Sequence, residues 1–283
     1  MNAVSPHFSP ERAAKLLQAV YFDVDATLVD RHRRFHPETL AAIRDLRTTG
    51  VRVGVATGRM YASALPYAEA IEVDAPLILY NGCLVAERAT GQAIFERQLA
   101  LEPARAALAL ARAMEIHANL YLRDLLVIER VTETAEASMK KDGVRAEPVG
   151  DLAKFLQEDP TKILLIAPDA LLAEFAAEIR RVWRNVRPLP ELVPSEPTYL
   201  EILPPGASKG EGLREACRRL RIAPATVVAF GDGPNDLEML EVAGLSVAMG
   251  NAHPDVKAIA DRVIGDCDSD AVGRALRDIF ELV

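Results

Sequence analysis

Apolar and polar positions along the chain fall into two rhythms. Short continuous apolar runs, each followed by a stretch of helical period, fill both ends of the sequence, whereas the middle shows hairpin-like alternation and longer amphipathic helices. The first run, Val20-Tyr21-Phe22-Asp23-Val24-Asp25-Ala26-Thr27-Leu28, is rich in β-branched and aromatic residues and predicts a strand covered on both faces. His36-Pro37-Glu38 opens a helix through Arg47, with Gly50 closing it, and Val51 to Ala56 is a second strand leading into Thr57-Gly58-Arg59. A third strand, Pro76 to Tyr80, ends at Asn81-Gly82. There the βα rhythm breaks.

Leu84 to Glu87 and Ile94 to Glu96 flank a turn at Ala89-Thr90-Gly91 and predict a hairpin. Helices follow at Glu102 to Ile116, Thr132 to Lys140, Asp151 to Gln157 and Ala170 to Arg181, with strands at Asn119 to Leu122, Leu125 to Glu129, Lys162 to Ala167 and Tyr199 to Leu203. Arg187 to Pro197 holds four prolines and predicts a loop or edge rather than a regular element. The first rhythm then resumes: Ser208-Lys209-Gly210 opens a helix to Arg221, Thr226 to Phe230 is a strand, and Gly231-Asp232-Gly233-Pro234-Asn235-Asp236 leads into a helix. Strands at Leu245 to Ala248 and Arg262 to Ile264 alternate with helices at Pro254 to Ala260 and Asp270 to Phe280. The expected architecture is α/β: a doubly wound, Rossmann-like parallel-sheet core from residues 1–82 and 204–283, interrupted by an α+β module at 83–203.

Composition narrows the function. A chain of 283 residues, half of them hydrophobic, can bury a sizeable core, and a net charge of −8 argues against a nucleic-acid or anionic-membrane binder. Cys83, Cys217 and Cys267 are far apart and suggest neither a disulfide framework nor a zinc site. Met1 to Pro10 carries no long apolar region and Glu11 to Ala19 reads as an amphipathic helix, so the expectation is a cytoplasmic protein with no evident obligate protein partner.

The candidate chemistry lies where predicted strands end. Side chains repeat every second residue along a strand, so Asp23 and Asp25 are expected on about the same side, where two carboxylates repel unless a cation or shared proton intervenes. Thr57 offers a hydroxyl, and free N–H groups, at a strand-to-helix turn suited to an anion. Lys209, Asp232 and Asp236 fall at the same edge of the expected sheet. His32 and His36 have ligand-like spacing, but Pro37 follows directly, and an exposed basic loop is expected there instead.

In that order, DVDATL, VATGR, SKG and GDGPND resemble the four signature motifs of the haloacid dehalogenase (HAD) superfamily. The inserted module, Asn81-Gly82 before it, the LEILPPGASKGEGL junction and the later MGNAHPDVKAIAD resemble the Cof-type branch with its α/β cap of class IIB. The resemblance implies Asp23 as nucleophile, Asp25 as acid and then base, and Thr57, the Gly58 N–H, Lys209 and Asn235 around the phosphoryl oxygens. It also implies Mg²⁺ held by Asp23, the Asp25 carbonyl, Asp232 and Asp236. The activity it implies is Mg²⁺-dependent hydrolysis of small phosphorylated metabolites, sugar phosphates foremost, through an aspartyl phosphate. A phosphotransferase or mutase of the same fold is the alternative enzyme, and a metabolite-binding protein the non-enzyme; loss of Asp23, Asp25, Lys209 or Asp232 would mark the latter, and all four are present. No G-x-G-x-x-G follows the first strand, which disfavours a dinucleotide-binding domain. The family usually has Gly where this chain has Ala26, a costly exchange if that backbone needs positive φ. Within the module, Arg123, Asp124, Lys162 and Glu201 are candidates to line the substrate pocket, though the more ordinary reading of each is a solvated charge or helix-end residue, and Trp183 is expected as packing.

Overall fold

The computed structural model describes residues 17–282; most of the predicted helix Glu11 to Ala19 lies outside them, and Ala19 already belongs to a strand. The chain runs through β1 (Ala19–Phe22), β2 (Arg52–Val55), β3 (Leu77–Leu79) and the hairpin β4 (Leu84–Ala86) and β5 (Ala93–Glu96). It continues through β6 (His117–Leu122), β7 (Leu125–Ile128), β8 (Ala146–Pro148), β9 (Lys162–Ile166), β10 (Glu191–Glu196) and β11 (Tyr199–Leu203), then β12 (Val227–Gly231), β13 (Leu245–Ala248) and β14 (Arg262–Val263). Helices α1 (Pro37–Thr48), α2 (Tyr61–Ala70), α3 (Leu101–Ala113), α4 (Glu133–Asp142), α5 (Leu152–Phe155) and α6 (Asp169–Val182) alternate with the earlier strands. Helices α7 (Lys209–Leu220), α8 (Leu237–Val242), α9 (Pro254–Ile259) and α10 (Ala271–Phe280) complete the chain.

The two rhythms become two sheets. Strands β14-β13-β12-β1-β2 form a parallel sheet, and a single parallel bridge, Ala56 to Ile78, carries it on to β3. All four residues of β1 are fully buried at its centre, as the unbroken apolar run requires. The second sheet, β10-β11-β9-β6-β7-β8, is antiparallel except for the β7–β8 pair. Its strands alternate: Ile163 and Leu165 pack with α3 and α6 around Phe175 and Trp183, while Leu164, Tyr121 and Leu126 pack on the side of the parallel sheet. Trp183 is structural, its Nε1–H donating to the Pro103 carbonyl at 3.3 Å.

Several local expectations are refined or corrected by the structure. Arg187 to Pro197, expected as a loop or edge, takes the edge alternative and contains the regular strand β10 at the margin of the second sheet; Pro194 is tolerated there beside a register irregularity, because an edge strand has spare N–H positions. The helix expected to reach Gln157 stops at Phe155, and the one expected to reach Ile116 stops at Ala113, where Met114 leaves the helix and Glu115 takes positive φ. The predicted strand from Val20 stops at Phe22, and Val24 to Leu28 forms a wide turn closed by a Val29 N–H to Val24 carbonyl bond. The hairpin β4–β5 pairs with β3, so its residues lie with the parallel-sheet half of the molecule.

Candidate active site

Four chain segments meet beyond the carboxyl ends of β1, β2 and β12, where an open parallel sheet leaves its crevice. Asp23 follows β1, Thr57 follows β2, Asp232 follows β12, and Lys209 starts α7, whose N-terminus is fixed by Ser208 Oγ accepting from the Glu211 N–H at 3.0 Å. Two glycines permit the approach. A Cβ on Gly82, at φ +90°, would lie 1.9 Å from the Ser208 carbonyl oxygen, and one on Gly231 would lie 2.6 Å from the Asp236 side chain.

Lys209 is fully buried and bridges two carboxylates, Nζ to Asp23 Oδ1 at 2.6 Å and to Asp236 Oδ1 at 2.7 Å. The other Asp236 oxygen accepts from the N–H groups of Asp232 and Gly233, at 2.9 and 3.0 Å, which shapes the loop. Asp232 accepts from the Thr27 hydroxyl at 2.9 Å. Burial pushes the Asp23 carboxyl well above the carboxylate range, opposed by Lys209 and reinforced by Asp236, Asp232 and Asp25. Burial and Asp236 raise Asp232 to about 6.

Oxygens of Asp23, Asp232 and Asp236 all lie within 4.8 Å of one another. Such an oxygen-only set of carboxylates fits a hard divalent cation, Mg²⁺ above the softer metals. The Asp25 side chain stands apart from this cluster. Strand pleating does not set its direction, because the strand has already ended: the turn carries the Asp25 side chain to Arg59, whose Nε and Nη2 grip both its oxygens at 2.8 and 2.6 Å, while Asp23 and Asp25 still line one cavity. Burial raises the Asp25 proton affinity, but the Arg59 hydrogen bonds and charge outweigh it and hold the carboxyl below its ordinary value.

A cavity of about 260 Å³ opens over these groups, lined by Asp23, Asp25, Thr57, Gly58, Asp232 and Asn235 on one side. Tyr121, Lys141, Lys162, Tyr199 and Glu201 of the second sheet and its helices line the other. Every residue expected at the site from sequence except Lys209 and Asp236 lines this cavity; those two lie buried beneath it, in contact with Asp23 and the Asp232 loop. Asn235 Nδ2 donates to Asn81 Oδ1 at 3.0 Å.

Sequence reasoning assigned no part to Arg59, Thr27 or Asn251, although Arg59 directly follows Thr57-Gly58 and Asn251 sits just past β13. Asn251 Nδ2 donates to the Ala26 carbonyl at 2.9 Å, and its Oδ1 accepts from the Cys267 N–H at 2.9 Å, bracing the turn that carries Asp25. Lys162 and Glu201 take the pocket-lining alternative, buried and paired at 2.6 Å. Asp124 instead joins the two halves, accepting from the Tyr80 hydroxyl at 2.7 Å and the Tyr61 N–H at 3.0 Å, and Arg123 is exposed against Glu158. His36 Nε2 meets the Cys267 carbonyl at 3.1 Å, and His32 is exposed.

Ala26 does take positive φ, +56°, the left-handed conformation that favours glycine. A left-handed alanine costs about 1–2 kcal/mol, partly offset by the freedom glycine adds to the unfolded chain. Ala26→Gly is therefore expected to raise stability by about 0.5–1 kcal/mol, read as a higher denaturant midpoint at unchanged slope. An unchanged midpoint would mean that the Asn251 brace already absorbs the strain.

Fold and site together define a phosphoric monoester hydrolase: a parallel α/β sheet presenting a lysine-locked aspartate beside a carboxylate cluster, under a second α/β layer. The chain belongs to the haloacid dehalogenase-like hydrolases, whose family model matches residues 20–276, and within them to the Cof type. It is 29% identical over 279 residues to the 5-amino-6-(5-phospho-D-ribitylamino)uracil phosphatase YitU of Bacillus subtilis, covering 93% of this chain and 97% of the relative. The HMP-PP phosphatase of Serratia proteamaculans is 30% identical over 259 residues, covering 90% and 93%. Among solved structures, TM0651 from Thermotoga maritima superposes with a TM-score of 0.81 at 28% identity, over 93% of this chain and 97% of that one. No helix among the described residues is long and apolar enough to cross a membrane.

Proposed function

We propose that the protein is a Mg²⁺-dependent phosphatase of small phosphorylated metabolites, sugar phosphates foremost, acting through an aspartyl phosphate on Asp23. The observation that carries this reading is the Lys209 bridge: it holds one Asp23 oxygen beneath the cavity and keeps the buried side chain aimed at it. Asp23 attacks phosphorus as the bond to the leaving oxygen breaks, and Asp25 gives that oxygen its proton. Water then attacks the same phosphorus, Asp25 takes the water's proton, and phosphate leaves with Asp23 restored. The Arg59 pair favours ionised Asp25, the form the second step needs. A phosphate dianion brought against Asp25 raises its proton affinity for the first step by like-charge repulsion.

Thr57, the Gly58 N–H and Asn235, which line the cavity, would receive phosphoryl oxygens, and Lys209 would neutralise charge that grows on them. Asp23 and Asp232, with Asp236 and the Asp25 carbonyl beside them, would hold Mg²⁺, which when bound supplies charge neutralisation to the transferring phosphoryl group. The segment from Leu99 to Leu203 is read as the cap that selects the leaving group, with the hairpin β4–β5 left to the core. Phosphatases of an ribitylaminouracil phosphate and of HMP-PP among the relatives support small phosphorylated metabolites as the class.

Turnover of p-nitrophenyl phosphate is expected to fall at least about a hundredfold in excess EDTA and to return on adding Mg²⁺. Full activity in the chelator would remove the metal from the mechanism.

A further inference from the structure

One pair of charges in the cavity wall has no part in phosphoryl transfer. Lys162 on β9 and Glu201 on β11 are 3% and 4% exposed, and they meet at 2.6 Å from Nζ to Oε2. Lys162 is fixed from three further directions. Its Nζ donates to the Gly58 carbonyl at 2.8 Å and lies 5.0 and 5.7 Å from the ring centroids of Tyr121 and Tyr80. Glu201 is tethered at one oxygen alone. Its Oε1 takes no hydrogen bond from any described residue and opens onto the cavity, 3.4 Å from the point a Cβ on Gly58 would occupy.

A carboxylate oxygen held on a fixed stem and turned to a cavity is an acceptor that a substrate donor can meet once the substrate displaces water from it. The position decides which donor. Gly58 belongs to the loop proposed to hold phosphoryl oxygens and lines the same cavity, so a group that reaches Glu201 Oε1 lies on the leaving group close to the phosphoester. The pair is neutral overall and its free atom is an acceptor, so it does not recruit a second anion; it accepts from a neutral O–H.

We infer that Glu201, held by Lys162, is the specificity-determining acceptor for a hydroxyl next to the phosphoester, so that polyol and sugar phosphates are preferred to their deoxy counterparts. The inference rests on the phosphatase reading and deepens it by naming the feature of the leaving group that is read. A site built to bond a substrate hydroxyl rejects the analogue lacking it far more strongly than an apolar wall distinguishes one methylene, because the protein group is then buried without a partner.

The test compares kcat/KM for a panel of polyol and sugar phosphates, each paired with the ester lacking the hydroxyl adjacent to the phosphoester carbon. p-Nitrophenyl phosphate serves as a reporter of chemistry. The parent is expected to favour the hydroxylated member by about a hundredfold or more. In the double variant Lys162→Met with Glu201→Leu, which leaves no buried charge unpaired, that ratio is expected to collapse to within about fivefold, whatever loss both substrates share. A cooperative melt establishes that the variant is folded; if it is not, Glu201→Gln carries the test, with an expected drop in the ratio of at least about tenfold. A ratio retained in the folded variant overturns the assignment. So does a parent that makes no distinction, or one that hydrolyses p-nitrophenyl phosphate and none of the hydroxylated esters. A parent inactive on every ester, p-nitrophenyl phosphate included, overturns the phosphatase reading and this one with it.

Discussion

Asp23→Asn is expected to lose turnover by at least about 10⁴-fold and yet, in metal-free buffer near neutral pH, to melt at a higher temperature than the parent. The loss follows from removing the atom that attacks phosphorus. The gain follows from charge: three carboxylates, Asp23, Asp232 and Asp236, surround the single ammonium of Lys209, and Asp23 is buried enough to resist ionisation. With Asn in place, Lys209 and Asp236 remain a neutral pair.

The pH dependence of the metal-free parent has the same origin. Below the ordinary carboxylate value of about 4 the acids are protonated in both states and cost nothing. As pH rises, the unfolded chain ionises freely while Asp23 and Asp232 resist, so stability is lost, for Asp232 as pH passes through about 6. Melts from pH 4.5 to 8 should show this fall in the parent and a shallower one in Asp23→Asn, with Mg²⁺ flattening the parent's curve. A lower melting temperature for Asp23→Asn would mean that the bond from Lys209 outweighs the burial of Asp23.

Lys209→Met is expected to behave in the opposite sense on stability. Removing the one cation leaves three carboxylates facing one another in a buried site, and breaking a buried ion pair from one side costs about 3–5 kcal/mol. Turnover should fall by about 10²–10³-fold or more, because charge on the transferring group is no longer matched. Added Mg²⁺ should raise the melting temperature of the variant by more than it raises the parent's, since the cation then takes over part of the lysine's task. Equal shifts would separate the metal site from the lysine.

The large features were legible in local pattern. Short β-branched apolar runs such as Val20 to Phe22 suit buried central strands, and with β1 between β2 and β12 the turns after them bring Asp23, Thr57 and Asp232 to one sheet edge. The change of pattern after Gly82 was visible as well, but it did not mark the start of the second sheet, since β4 and β5 pair with β3. The partners of the charged groups depended on how the elements pack. Asp25 turns to Arg59 because the strand ends at Phe22 and a wide turn follows, a matter of backbone angle at Ala26 that pleat periodicity cannot express. Lys162 and Glu201 are buried because their sheet lies over the crevice with Tyr121 and Tyr80 against the lysine. A charged residue in a strand reads as solvated until the surface it faces is known, and that surface is built from residues distant in the chain, Gly58 and Tyr80 among them.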